Sequence, residues 1–260
     1  MARYYDAVYA NIVDYRSNAL FLERIFQKHR SQGTRTILDV ACGTGNYTLV
    51  FADHGYDTTG IDLSDEMLNA ARKKATGKNN PRFVKMDMRK IELESKYDVA
   101  TVLFGGFGYI LAELEVELFL AGIGRHLNPG GLVVFEFWQD LAILPAATGP
   151  SGMKSWDRVE NSDNLIVRLH LSKYDSQTNI LNIKFDFYVL DRKGGSLLDS
   201  FSETHLLRTY SISHMRELLE RNGFKALAFY DGGLGKGGKD EPVPASFSTF
   251  RVLAVATPIR

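Results

Sequence analysis

The sequence predicts an α/β fold: a mostly parallel sheet that carries the functional site, with an antiparallel sheet inserted after its fifth strand. Three observations lead there. The stretch ILDVACGTGNYTLVFADHGYDTTGID, Ile37 to Asp62, reads as strand, glycine turn, helix, strand. Short apolar runs separated by helical patterns continue to Phe137, as expected of parallel strands buried on both faces. Between Leu165 and Leu207 the apolar period changes to two, which marks antiparallel strands with a single apolar face.

The segment before the first strand, Tyr4 to His29, has apolar residues near helical spacing, clearest at Leu20, Leu22, Ile25 and Phe26. It is expected to lie as a helical lid across the ligand edge. Four tyrosines crowd it, Tyr4, Tyr5, Tyr9 and Tyr15, and their amphipathic rings either pack the lid or reach the site. Ile37 to Val40 is the first strand. It stops at Ala41-Cys42-Gly43-Thr44-Gly45, where glycine allows positive φ and lets a ligand approach where a Cβ would collide. Tyr47 to Ala52 is helical and ends at Gly55; Thr58 to Ile61 is the second strand, with Asp62 at its tip. An acid about 20 residues beyond the turn is placed to accept from both hydroxyls of a ribose.

The remaining elements follow the same logic. Ser64 or Asp65 caps a helix to about Ala75, whose cationic end at Arg72, Lys73 and Lys74 suits the dipole. Arg82 to Met86 is the third strand, and Asp87-Met88 stands where an adenine ring would lie. Tyr97 to Leu103 is the fourth, ending in the aromatic glycine loop Phe104 to Tyr109, whose ring faces attract cations. A helix from about Glu113 to Leu127 leads to the fifth strand, Leu132 to Phe137, followed by Trp138 and Gln139 at the ligand edge. His126, at the far end of that helix, is expected to cap carbonyls.

The insert has three alternating segments, Leu165 to Leu171, Leu181 to Val189 and Ser196 to Leu207. Arg168, His170 and His205 are expected on the surface of this sheet, with His205 the only candidate base. Ser211 caps a helix stopped by Asn222-Gly223, and Phe224 to Tyr230 and Phe247 to Ala256 form a closing hairpin. Between them Gly232 to Ala245, with five glycines and two prolines, is expected as a mobile loop near the entrance. This divides the chain into a core at 1–140 and 208–260, with its lid at 1–33, and an insert at 141–207 that roofs the site.

Composition bounds the function. The 260 residues carry 31 basic and 31 acidic side chains, so no global field favours nucleic acid or an anionic membrane. One cysteine excludes an internal disulfide. The sequence lacks an apolar run long enough to span a bilayer and a signal-peptide pattern; a soluble, cytoplasmic protein acting on a small molecule is expected, with a homodimer left open. No His/Cys cluster has metal-ligand spacing.

A dinucleotide fingerprint needs a third glycine or alanine, where this chain has Thr48, and Asp39 beside the turn would repel a pyrophosphate. A carboxylate there suits a cationic ligand end. The pattern Asp39-x-x-x-Gly43-x-Gly45 with Asp62 resembles the Rossmann-like S-adenosylmethionine (SAM) methyltransferases. Over nearly its whole length the chain is similar to the class I SAM-dependent superfamily, and within it to the glycine N-methyltransferase-like and amino-sugar N,N-dimethyltransferase branch. The similarity is carried by Tyr5-Asp6-Ala7-Val8-Tyr9, Leu38 to Gly45, Asp62-Leu63-Ser64 with Met67-Leu68, Asp87-Met88-Arg89, Phe107-Gly108-Tyr109, His126 to Gly131 and His205-Leu206.

That resemblance implies a seven-stranded sheet of order 3-2-1-4-5-7-6 with an antiparallel seventh strand, and SAM as cofactor, leaving as S-adenosylhomocysteine (SAH). It implies cofactor positions at Asp39, Ala41, Gly43 and Gly45 near the methionine, Asp62 on the ribose, Leu63 and Met88 against adenine, Asp87 on its amine and Phe104 beside the sulfur, with Met67 as a further cofactor-binding residue. Tyr15 is a candidate for the methionine carboxylate. Tyr9, Tyr109 and Trp138 are expected to orient and desolvate the acceptor for in-line transfer to an amine or hydroxyl, with N-methylation favoured. Family members often carry a proline after the strand-five acid; here Phe137 follows Glu136, which puts a sugar-nucleotide pocket in doubt. The alternatives weighed are a nicotinamide oxidoreductase and a SAM-binding protein without turnover.

Overall fold

A computed structural model describes residues 2–10, 12–147, 152–160, 162–233 and 241–259. The parallel part of the main sheet comprises β1 (Thr36–Val40), β2 (Asp57–Asp62), β3 (Arg82–Lys85), β4 (Tyr97–Val102) and β5 (Leu127–Trp138). Between them run α3 (Asn46–Asp53), α4 (Asp65–Lys74) and α5 (Glu113–His126). Two N-terminal helices, α1 (Ala2–Tyr9) and α2 (Tyr15–His29), precede β1. After β5 come α6 (Asp140–Ala147), then β6 (Met153–Glu160), β7 (Asn164–Asp175), β8 (Ile180–Asp191) and β9 (Leu197–Arg208), and finally α7 (Ile212–Arg221), β10 (Phe224–Asp231) and β11 (Arg251–Pro258).

The main sheet has the order β3-β2-β1-β4-β5-β11-β10. Counted within this sheet alone that is 3-2-1-4-5-7-6, with β11 antiparallel to both β5 and β10. Ile37, Leu38 and Val40 of β1 are fully buried, as are Val99 and Val102 of β4, because both strands lie mid-sheet with helices on either side. Below them Asp98, itself buried, receives Arg30 Nη2 at 2.7 Å, Asn128 Nδ2 at 3.0 Å and the backbone N–H groups of Arg35 and Thr36. His126 is spent in the same region: its Nε2 accepts from Leu93 N–H at 2.9 Å, and its Nδ1 faces Gly122 O at 2.7 Å.

Several boundaries differ from expectation. The lid is two helices, and Asp14 caps the second by accepting from Ser17 N–H. The last strand starts at Arg251, not Phe247. The expected loop at 232–245 includes residues 234–240, which lie outside the described residues. The sequence does not announce α6 or β6; in β6 Lys154, Ser155, Asp157, Arg158 and Glu160 leave only a weak apolar alternation.

The informative error is in β7. Its outward face holds Leu165, Val167, Leu169 and Leu171, and its inward face holds Arg168, His170 and Ser172. Facing pairs on neighbouring strands share a side of the sheet, and the register sets Arg168 opposite Phe187, His170 opposite Phe185 and Ser172 opposite Ile183. The larger apolar face of β8 therefore decides which face of β7 turns inward. Leu169 stays 41% exposed beside the 65% exposed Trp156. Among the described residues no helix is long and apolar enough to cross a membrane.

Candidate active site

Two left-handed bends face each other at the carboxyl ends of β1 and β4. The first is Ala41 (φ 54°), Gly43 (φ 56°) and Gly45 (φ 75°); the second is Phe104 (φ 57°) and Gly105 (φ 82°). They abut closely: a Cβ added to Gly106 would stand 3.0 Å from that of Ala41. Above them opens a cavity of about 1240 Å³, bounded by the strand tips, α1 and the inward face of the four-stranded sheet. Every nominated residue except Gly45 lines it. Gly45 works from behind, since a Cβ there would meet the Phe83 ring at 2.7 Å.

Asp39 is buried and receives Thr48 Oγ1 at 2.6 Å and Thr101 Oγ1 at 3.0 Å. Burial pushes its carboxyl up to about 6, against those two hydrogen bonds. Thr48, at the third fingerprint position, thus fastens Asp39. Asp62 accepts from Gly43 N–H at 2.8 Å and from Ser64 N–H at 2.9 Å, bracing the glycine turn against the start of α4. Asp87 is held by Arg89, whose hydrogen bonds keep its carboxyl below the usual range, and Arg89 also reaches Glu115 at 2.5 Å. Cys42 lies among these acids, and burial pushes its thiol well up, which removes the thiolate a nucleophile needs.

Aromatic side chains enclose the rest. The rings of Tyr9 and Phe104 meet edge-on at 5.0 Å, and those of Trp138 and Phe250 lie 4.9 Å apart. Tyr9 Oη accepts from Arg168 Nη1 at 3.2 Å, and burial raises the Tyr9 phenol in spite of that cation. Burial pushes Tyr15 up to about 12. Among the described residues, neither Tyr15 Oη nor Trp138 Nε1, both buried, has a hydrogen-bond partner. Unmet polar groups in a cavity wall mark where a ligand supplies the bond.

The lining also includes Tyr5, Arg168, His170 and Glu203, none of them assigned to the site from the sequence. Contrary to the sheet-surface expectation, Arg168 is 8% exposed and faces the cavity, paired to Asp157. Asp6 was also overlooked. It receives Thr44 Oγ1 at 2.6 Å, Asn46 Nδ2 at 3.0 Å and Lys74 Nζ at 2.8 Å, and so ties α1 to the glycine turn. Tyr5-Asp6-Ala7-Val8-Tyr9 stands out in the sequence, but nothing local announces Asp6 as its anchor.

This arrangement can be set beside known proteins. A family model described as a methyltransferase domain matches residues 37–131, the segment that builds the strand tips. A dTDP-3-amino-3,4,6-trideoxy-alpha-D-glucopyranose N,N-dimethyltransferase of Streptomyces venezuelae is 29% identical over 210 residues, covering 81% of this chain and 84% of its own. A methyltransferase domain thus spans the strand tips of this chain. The methyltransferase also superposes on the structure of Streptomyces venezuelae DesVI with a TM-score of 0.76 and 26% identity, over 94% of this chain and 92% of that one. An S-adenosylmethionine-dependent methyltransferase from Clostridium acetobutylicum gives a TM-score of 0.80 at 20% identity, over 99% and 97% of the two chains, and shares its fold. The residues present fit SAM as a cofactor: acids and aromatic faces suit its two cationic groups, and Tyr15 Oη and Trp138 Nε1 offer donors to it.

Proposed function

We propose that this methyltransferase methylates an amine nitrogen of a small molecule, with the cofactor held across the strand tips and the acceptor under the four-stranded sheet. The observation that carries this is the single cavity that joins the acids of the tips to an aromatic enclosure. SAM, when bound, supplies a methyl group already activated on a sulfonium. The chain itself has to bind, orient and exclude water, which is where catalytic gain resides for an in-line displacement.

In this reading each Asp62 oxygen spends one lone pair on a backbone N–H and keeps one for a ribose hydroxyl. Asp87, set in place by Arg89, accepts from the adenine amine, with Leu63, Met67 and Met88 against the ring. Asp39 favours the cationic methionine end, Tyr15 takes its carboxylate, and Phe104 lies against the sulfur. Tyr9, Tyr109 and Trp138 enclose the acceptor nitrogen. The relative of known name acts on a dTDP-linked amino sugar, which supports nitrogen over oxygen as the nucleophile. A balanced net charge and a covered cavity favour a small acceptor over nucleic acid.

The test is calorimetric titration with SAH beside NAD, followed by transfer of a labelled methyl group to pooled amines. Micromolar SAH binding, no NAD binding and label on nitrogen are expected. NAD binding alone, or label on oxygen alone, refutes the proposal.

A further inference from the structure

The acceptor end of the cavity is unsuited to a phosphate. No lysine is among the described lining residues, and the arginines that reach the wall are each matched by an acid. Arg168 is bound by Asp157, Arg251 lies 3.4 Å from Glu136, and Arg89 is held by Asp87 and Glu115. Phosphate sites are built from cations and backbone N–H groups with charge to spare. Asp39, Asp62 and Glu66 belong to the cofactor end; at this end the wall adds Glu203, a carboxylate that repels a phosphate.

Glu203 stands apart from the others, on β9, and is the start of a chain of polar groups. Its Oε2 lies 3.4 Å from His205 Nε2, and His205 Nδ1 lies 2.7 Å from Tyr109 Oη. All three line the cavity. The neutral tautomer that satisfies both contacts carries its proton on Nε2, toward Glu203, and accepts the Tyr109 hydroxyl at Nδ1. Burial holds Tyr109 protonated, with Tyr9, Glu203 and Asp62 acting in the same direction. The Phe185 and His205 rings meet edge-on with centroids 5.4 Å apart, His170 stacks on Phe185 at 5.7 Å, and the Arg168 guanidinium lies 5.3 Å from the Phe185 ring centre. Tyr109 lines the space an acceptor would fill.

We propose that the acceptor is a phosphate-free amine bound as its ammonium at Tyr109, and that Glu203, His205 and Tyr109 form the relay that takes its proton. This rests on the N-methyltransferase reading above and departs from the dTDP-linked acceptor in the relative's name. The ammonium gives a proton to Tyr109 Oη while Tyr109 passes its own to His205 Nδ1, leaving an imidazolium beside the Glu203 carboxylate. The freed lone pair forms the C–N bond as the methyl carbon–sulfur bond breaks, and that pair stays on sulfur as the thioether. The product nitrogen leaves as a methylated ammonium, and the imidazolium returns its proton to water. Tyr109 is a catalytic residue in this scheme; Glu203 is a positioning residue that acts through His205.

The experiment measures labelled-methyl transfer from SAM to tyramine, to free 3-amino-3-deoxyglucose and to the thymidine-diphosphate ester of that sugar. Wild type, Glu203→Gln and Tyr109→Phe are compared across pH 6–9, with SAH affinity measured for each. The two phosphate-free amines should be favoured over the ester by at least tenfold in kcat/KM. Glu203→Gln should lower kcat on the plateau of the rate profile by about tenfold and move its acid limb down by about one pH unit, because loss of the carboxylate disfavours the imidazolium, with SAH binding kept. Tyr109→Phe, which removes only an oxygen, should lose the same activity and serves if Glu203→Gln misfolds. Preference for the ester, transfer to none of the three while SAH binds, or superimposable pH profiles overturns the proposal. Failure of the wild type to bind SAH overturns the cofactor assignment instead.

Discussion

Replacing Asp39 with asparagine should make the cofactor-free protein more stable at alkaline pH and less able to hold its cofactor. The carboxyl is buried, and burial raises it from the usual 3.8 to about 6. That shift corresponds to about 3 kcal/mol. The folded state keeps the proton over an interval in which the unfolded chain has already lost it, so this contribution is full below about pH 4 and fades as pH rises to about 6. Above that the wild type carries a buried anion at the full cost. Asparagine never ionises, but Thr48 and Thr101 both donate to Asp39, and one hydroxyl must turn to accept from the amide, at about 1 kcal/mol. The net expectation is a gain of about 2 kcal/mol at pH 8 and a loss of about 1 kcal/mol at pH 4. For a chain of this size that is about 4–8 °C up and 2–4 °C down in Tm. Thermal denaturation from pH 4 to pH 8.5, without SAH, reads it directly. A variant-minus-wild-type difference that does not change with pH would refute the reasoning, whatever its sign. Calorimetry should show weaker SAH binding for the same variant, because the charge that opposes folding is the one that favours a cationic ligand.

Other substitutions separate the site from its supports. Asp62→Ala should weaken SAH binding by about 1–3 kcal/mol, the scale of charge-assisted hydrogen bonds, and unchanged calorimetric affinity would remove Asp62 from the ribose site. Asp98→Ala leaves the buried Arg30 guanidinium, Asn128 and two backbone N–H groups without their acceptor; urea denaturation should show a loss of about 3–5 kcal/mol, and a loss below about 1 kcal/mol would contradict the accounting. Asp6→Ala cuts the tie between α1 and the glycine turn. Stopped-flow release of SAH should then quicken about three- to tenfold, as expected from about 1 kcal/mol of hydrogen bonding, and an unaltered rate would mean α1 does not gate the cofactor.

Much of this was legible in the chain itself, because local chemistry was decisive there. The strand–turn–helix–strand unit from Ile37 to Asp62 declares itself through apolar runs, positive-φ glycines and an acid at a fixed distance, all set by residues close in sequence. The same holds for the Ser64 and Ser211 caps, whose side chains accept from N–H groups three residues on, and for the exclusion of His126 from the site. Parallel strands buried on both faces can be read as apolar runs without knowing their neighbours.

What only the tertiary structure decided were matters of partnership. In β7 the alternation is equally regular on both sides, and period two does not say which side turns inward. The register against β8 put Arg168 and His170 into the cavity and left Leu169 outside. Asp6 becomes an anchor only when folding brings Thr44 and Asn46 across about 40 residues of chain to its carboxylate. Glu203 gains a role because β9 lays it beside His205 and brings His205 against Tyr109, 96 positions away. A sequence records which groups are able to donate, accept or ionise. Which of them meet depends on strand register and loop closure, and there the free energy is set by neighbours far away along the chain.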